Sequence, residues 1–101
     1  MTANITPVHS AVLDRAASVI KCLGHPLRLR LLEALEAGEM SVSDLQDYSG
    51  ATQAAVSQQL GTMRGRGIVD CRRDGANVFY RVTEPKVSFI LDCIRKCDAE
   101  F

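Results

Sequence analysis

The sequence predicts a mainly α chain with a small β-hairpin wing, a winged helix-turn-helix in the order α-α-α-α-β-β-α. Three observations carry that expectation. Four stretches with apolar residues at helical spacing follow one another up to residue 66, each stopped by a glycine. From 68 to 82 the period changes to two extended runs flanking "DGAN", a hairpin signal. After Pro85 helical spacing returns and runs to the end. The expected organisation is a tail at 1–9 and one domain at 10–101.

A first helix is expected from about Ser10 to Cys22, with Val12, Ala16, Val19, Ile20 and Leu23 at helical spacing and Gly24 as its stop. "HPLRLRLLEALEAG" restarts it. Pro26 suits a first turn, His25 before it reads as a cap or turn residue, and Leu27, Leu31, Leu32 and Leu35 form a stripe closed by Gly38. "SVSDLQDYSG" reads as a short helix with Ser41 as cap and Gly50 as stop. In "ATQAAVSQQLGTMRGRG" the cap is Thr52, and Val56, Leu60 and Met63 face inward together. Gln53, Ala54, Ser57, Gln58 and Gly61 are left on the outer side. Ile68–Arg73 and Asn77–Val82 make the hairpin, and the last helix is expected over roughly Glu84–Ala99.

No apolar run approaches the roughly 20 residues of a membrane span, and "MTANITPVHS" lacks the layout of a signal peptide. The chain therefore reads as cytoplasmic, and its four cysteines as reduced. Zero net charge argues against a nucleic-acid partner until the distribution is inspected. Between Leu31 and Met63 there are five acids and no Lys or Arg, whereas Arg64 to Arg81 holds five arginines against Asp70 and Asp74. A neutral total thus hides a basic segment.

That segment adjoins a helix suited to reading DNA. In a helix-turn-helix the N-terminal residues of the second helix meet base edges in the major groove. Gln53, Ser57, Gln58 and Gln59 are of the types that bond base edges, Thr52 caps the helix, and small Ala54 permits close approach. Arg64, Arg66, Arg72, Arg73 and Asn77 at the hairpin tip suit phosphate or minor-groove contacts. The expected partner is double-stranded DNA.

"HPLRLRLLEALEAGEMSVSDL" followed by "QAAVSQQLGTMRGRGIVDCRRDGANVFYRVT" closely resembles the ArsR/SmtB family of bacterial repressors, over about Ser18 to Cys97. The resemblance implies a homodimer built through the first and last helices, a pseudo-palindromic operator, and a chemical inducer that lowers DNA affinity. It also tests the inducer sites used by such repressors. Ser41 and Ser43 stand where the thiol site of the third helix has cysteines, and neutral hydroxyls are poor ligands for soft metals. The last helix contains Asp92 and no His, against the zinc and nickel sites found there. Glu33 stands where the dithiol sensors of persulfides and oxidants carry a second-helix cysteine.

Cys22, Cys93 and Cys97 remain as candidates for sensing. With first and last helices packed as the resemblance implies, three thiolates there suit trivalent arsenic as inducer, no cofactor being required for folding. The alternative is a persulfide or redox sensor acting through a disulfide or sulfur-bridged link. A blander reading makes Cys93 and Cys97 packing residues continuing the stripe of Ile90, Ile94 and Phe101. Cys71 in the hairpin is read as packing or incidental exposure. A remote alternative, a small thiol oxidoreductase, is disfavoured because Cys-x-x-x-Cys lies at a helix C-terminus, where the dipole raises rather than lowers a thiol pKa. The chain is therefore not expected to be an enzyme.

Overall fold

The computed structural model describes residues 4–101. The described residues form five α-helices and a three-stranded antiparallel sheet. The helices are α1 (Ser10–Leu23), α2 (Pro26–Leu35), α3 (Val42–Ser49), α4 (Gln53–Gly65) and α5 (Lys86–Lys96). The strands are β1 (Met40–Ser41), β2 (Val69–Asp74) and β3 (Asn77–Val82). Of the expected tail at 1–9, residues 1–3 lie outside the described residues, and 4–9 are exposed without helix or strand.

The helix starts are built by the side chains the sequence offers. Ser41 Oγ accepts from the Asp44 N–H at 3.1 Å and Thr52 Oγ1 from the Ala55 N–H at 3.2 Å, each satisfying a donor the helix end leaves free. Both histidines do the same work. His25 Nδ1 accepts from the Leu27 N–H, and His9 Nδ1 from the Ala11 N–H, so His9 belongs to the start of α1 rather than to the tail. Gly50 ends α3 at φ 72°, a left-handed conformation that disfavours a Cβ, and returns its N–H to the Gln46 carbonyl.

One core joins these elements. Leu31, Leu32, Leu45, Val56, Leu60, Met63, Ile68 and Val87 are fully or almost fully buried, with Val69 and Leu91 beside them. The stripes read from α2 and α4 are thus the faces that pack. Two expectations need correction. The wing is not a lone hairpin: β1 pairs with β3 through Met40↔Tyr80 and Ser41↔Phe79, giving the order β1-β3-β2. The last helix is shorter than 84–99. It begins at Lys86, Cys97 is its C-cap, and a 3₁₀ turn follows over Asp98–Glu100.

The hairpin matches its signal. Asp74 pairs with Asn77, leaving Gly75 and Ala76 as the connection. Gly75 has φ 63° and Ala76 does not take a positive φ, the pattern of a type II′ turn. No helix among the described residues is long and apolar enough to cross a membrane.

The core leaves α1 and α5 poorly covered. Leu13 and Ile20 on α1 and Phe89 on α5 are exposed, Phe89 to 75%, and Phe101 beyond α5 to 89%. The molecule measures 60 × 32 × 21 Å, elongated for a chain of this size. Large apolar side chains gathered on two helices mark a surface that ordinarily meets a partner.

Candidate nucleic-acid interface

Helix α4 presents a polar ridge at one side of the molecule. Thr52, Gln53, Ala54, Ser57, Gln58 and Gly61 are all exposed, while Val56, Leu60 and Met63 hold the opposite face in the core. Small Ala54 and Gly61 leave the ridge low, and the amide of Gln58 and hydroxyl of Ser57 are exposed on it with no side-chain hydrogen bond to another of the described residues.

Gln59 is not part of the ridge. It is half-buried and faces α2, where its Oε1 accepts from Arg28 Nε at 2.7 Å. Its expected role as a base reader gives way to this contact. The signal was present in the spacing: Val56, Gln59, Leu60 and Met63 stand at i, i+3, i+4 and i+7, so Gln59 belongs to the inner stripe.

The arginines beside and within the wing fall into three groups. Arg72, although exposed, is engaged by the protein's own groups: its Nε lies 2.9 Å and 3.0 Å from the two Glu39 oxygens, and its guanidinium sits 4.8 Å from the Phe79 ring centroid. Arg72 therefore anchors the wing to the segment before β1, and the hydrogen bond holds the Glu39 carboxyl below its ordinary pKa. Arg64 lies 3.8 Å from Asp70, a loose pair. Arg66 and Arg73 are exposed and make no ion pair among the described residues. Both are free to meet a polyanion, as is exposed Arg81 on β3. Asn77 is exposed at the start of β3 beside the turn.

A polar helix ridge flanked by a basic wing is the geometry with which a winged helix-turn-helix approaches a duplex. A family model described as "Bacterial regulatory protein, arsR family" matches residues 25–70, from the cap of α2 into β2. The biofilm growth-associated repressor of Xylella fastidiosa (strain Temecula1 / ATCC 700964) is 41% identical over 81 residues, covering 80% of this chain and 71% of that protein. The chain belongs to the ArsR family.

The solved structures agree with that assignment. The transcriptional repressor BigR from Xylella fastidiosa superposes with a TM-score of 0.79 at 38% identity, covering 89% of this chain and 95% of that one. A homodimeric winged helix-turn-helix DNA-binding domain from Mycobacterium bovis gives 0.75 at 27% identity, covering 98% and 92%. An ArsR-family chain is a transcriptional regulator and not an enzyme, which removes the oxidoreductase alternative.

In this ArsR-family chain the thiols are spread out. All four cysteines are free; Cys22 is buried, Cys71 and Cys97 half-buried, and Cys93 exposed. Cys93 borders an apolar groove formed by Ile20, Leu23, Leu29, Ile90 and Ile94 between α1, α2 and α5. Within the single chain Cys22 packs in the core, whereas Cys93 lies at the surface that α1 and α5 leave uncovered. Among the described residues no group of three or more His, Cys, Asp or Glu side chains is gathered to hold a metal ion. Cys22, Cys93 and Cys97 thus form no three-thiol site within one chain. Arg95, between Cys93 and Cys97 in the sequence, pairs with Glu36 and Asp92.

Glu33, at the position where dithiol sensors resembling this chain carry a cysteine, is tied into a different network. The Tyr48 hydroxyl donates to its Oε1 at 2.6 Å, and Arg30 Nη1 lies 2.6 Å from the same atom. The hydrogen bond from Tyr48, then that from Arg30, hold the Glu33 carboxyl below its ordinary pKa. This position stitches α2 to α3 and carries no thiol chemistry.

Proposed function

We propose that this chain is a cytoplasmic, homodimeric transcriptional repressor that binds a pseudo-palindromic operator and is released by thiol chemistry at the terminal helices. The observation that carries it is the pairing of two surfaces: the exposed ridge of α4, and the uncovered apolar residues of α1 and α5. A second copy docked on α1 and α5 would shield Ile20, Phe89 and Phe101 and present two reading helices at once. In this arrangement Gln53, Ala54, Ser57 and Gln58 meet bases, and Arg64, Arg66, Arg73 and Asn77 meet the backbone. The homodimeric Mycobacterium bovis domain supports the pairing.

The paired Arg72 and the unpaired Arg66 and Arg73 make different predictions. Arg66→Ala and Arg73→Ala are each expected to reduce the slope of log affinity against log salt by about one per lost phosphate contact. Arg72→Ala is expected to leave that slope nearly unchanged, because its guanidinium is committed to Glu39. Operator titrations at several salt concentrations distinguish the two.

The inducer acts on Cys22, Cys93 and Cys97. Trivalent arsenic asks for three thiolates in one place, which a single chain does not gather, so an arsenite-type site needs cysteines of both subunits or a rearrangement. The dispersal of the thiols within one chain favours the second chemistry: a persulfide donor transfers a sulfur atom to one thiolate, and a second thiol then attacks the inner sulfur, releasing hydrogen sulfide and leaving a disulfide.

The test is release of the promoter complex by arsenite and, separately, by a persulfide donor, with Cys22→Ser, Cys93→Ser and Cys97→Ser compared against wild type. Release by the donor that Cys93→Ser abolishes supports the sulfur reading. Release by arsenite that each single variant abolishes supports the three-thiol metalloid site. Release unaltered in all three variants contradicts both.

A further inference from the structure

Arg28 bonds to two helices at once, α1 and α4. It sits half-buried in the first turns of α2, between the end of α1 and the inner side of α4. Its Nη1 donates to the Cys22 carbonyl at 2.8 Å and its Nε to Gln59 Oε1 at 2.7 Å. No carboxylate among the described residues lies within ion-pairing distance of it.

The Cys22 carbonyl needs this donor. Continuing the helix would pair it with the N–H four residues on, but that residue is Pro26, which has none. A cation at a helix C-terminus is also favoured by the dipole. The guanidinium is planar, so Nε and Nη1 point in fixed directions, and the carbonyl at the end of α1 becomes fixed relative to an amide midway along α4. Gln59 adjoins Gln58 and lies two residues from Ser57. Holding Gln59 against α2 therefore sets the rotation of α4 about its own axis, and with it the directions of the exposed side chains.

We infer that Arg28 is a positioning residue for DNA reading: it locks the rotation of α4 against the end of α1, the helix that carries the dimer seam. This rests on α4 being the operator-reading helix. Arg28 touches no DNA in this arrangement. It acts through Gln59.

The test is a double-mutant cycle on operator affinity, using Arg28→Met, Gln59→Met and the double variant, each titrated with promoter DNA and with scrambled DNA of equal length. Each single variant is expected to lose about tenfold in promoter affinity, the scale of a hydrogen bond to a charged group. The double variant is expected to lose about the same tenfold rather than about a hundredfold, because both substitutions cut one link. Affinity for scrambled DNA and the salt slope stay as in wild type. Gln59→Met replaces a half-buried residue with a good helix former, so it reads the link even where Arg28→Met disturbs folding.

Losses that multiply, a reduced salt slope, or equal losses on both DNAs with a lowered melting temperature would overturn the inference. They would make Arg28 a direct phosphate contact or a packing residue. Unchanged promoter affinity in Gln59→Met overturns it as well. A wild-type chain that binds promoter and scrambled DNA alike defeats the operator reading itself, and this inference with it.

Discussion

Replacing Ile20 with aspartate is expected to leave the chain folded but monomeric, and to lower operator affinity by a factor on the order of 10²–10⁴, the avidity of two linked reading helices. Ile20 is 63% exposed in the single chain, so the substitution removes nothing from the core. In the proposed dimer it lines the apolar groove shared with Leu29, Ile90 and Ile94. Two-fold symmetry places the new carboxylate in the seam twice. Each unpaired buried charge costs about 3–5 kcal/mol, which opposes closure of the seam. Sedimentation velocity and promoter titration read the two effects together. A variant that remains dimeric at wild-type affinity places the seam elsewhere.

The second large effect concerns the ridge of α4. Ser57→Glu is expected to cut promoter affinity about a hundredfold, from a loss of ~1–3 kcal/mol at each half-site, counted twice in a dimer. Ser57 is exposed on α4, one turn beyond Ala54, so the fold tolerates the longer side chain. The expected loss comes from a carboxylate replacing a hydroxyl against the base edges, in a groove flanked by phosphates. Circular dichroism should be unchanged while fluorescence anisotropy shows the loss. Wild-type affinity in this variant moves the reading surface off α4.

Much of this was legible before any coordinates. Helix starts were readable because capping chemistry is local: Ser41 and Thr52 bond within three residues of themselves. The hairpin was readable because a Gly in a two-residue connection is a backbone requirement. β1 was not, since two residues display no period and Met40 becomes a strand only when Tyr80 lies beside it. Arg72 misled for the same kind of reason. Its partner Glu39 is 33 residues away, and no local pattern announces that pair. Gln59 was different, because its spacing from Val56 already placed it inward. The cysteines were legible as a pair by number, but Cys97 proved to cap α5 rather than lie within it.

The most direct measurement of the central claim is the anisotropy of labelled promoter DNA titrated with reduced protein, beside scrambled DNA of equal length, across a salt series. The account predicts promoter binding at least about a thousandfold tighter than scrambled, with affinity falling steeply as salt rises. Equal binding to both DNAs, or none to either, would contradict it.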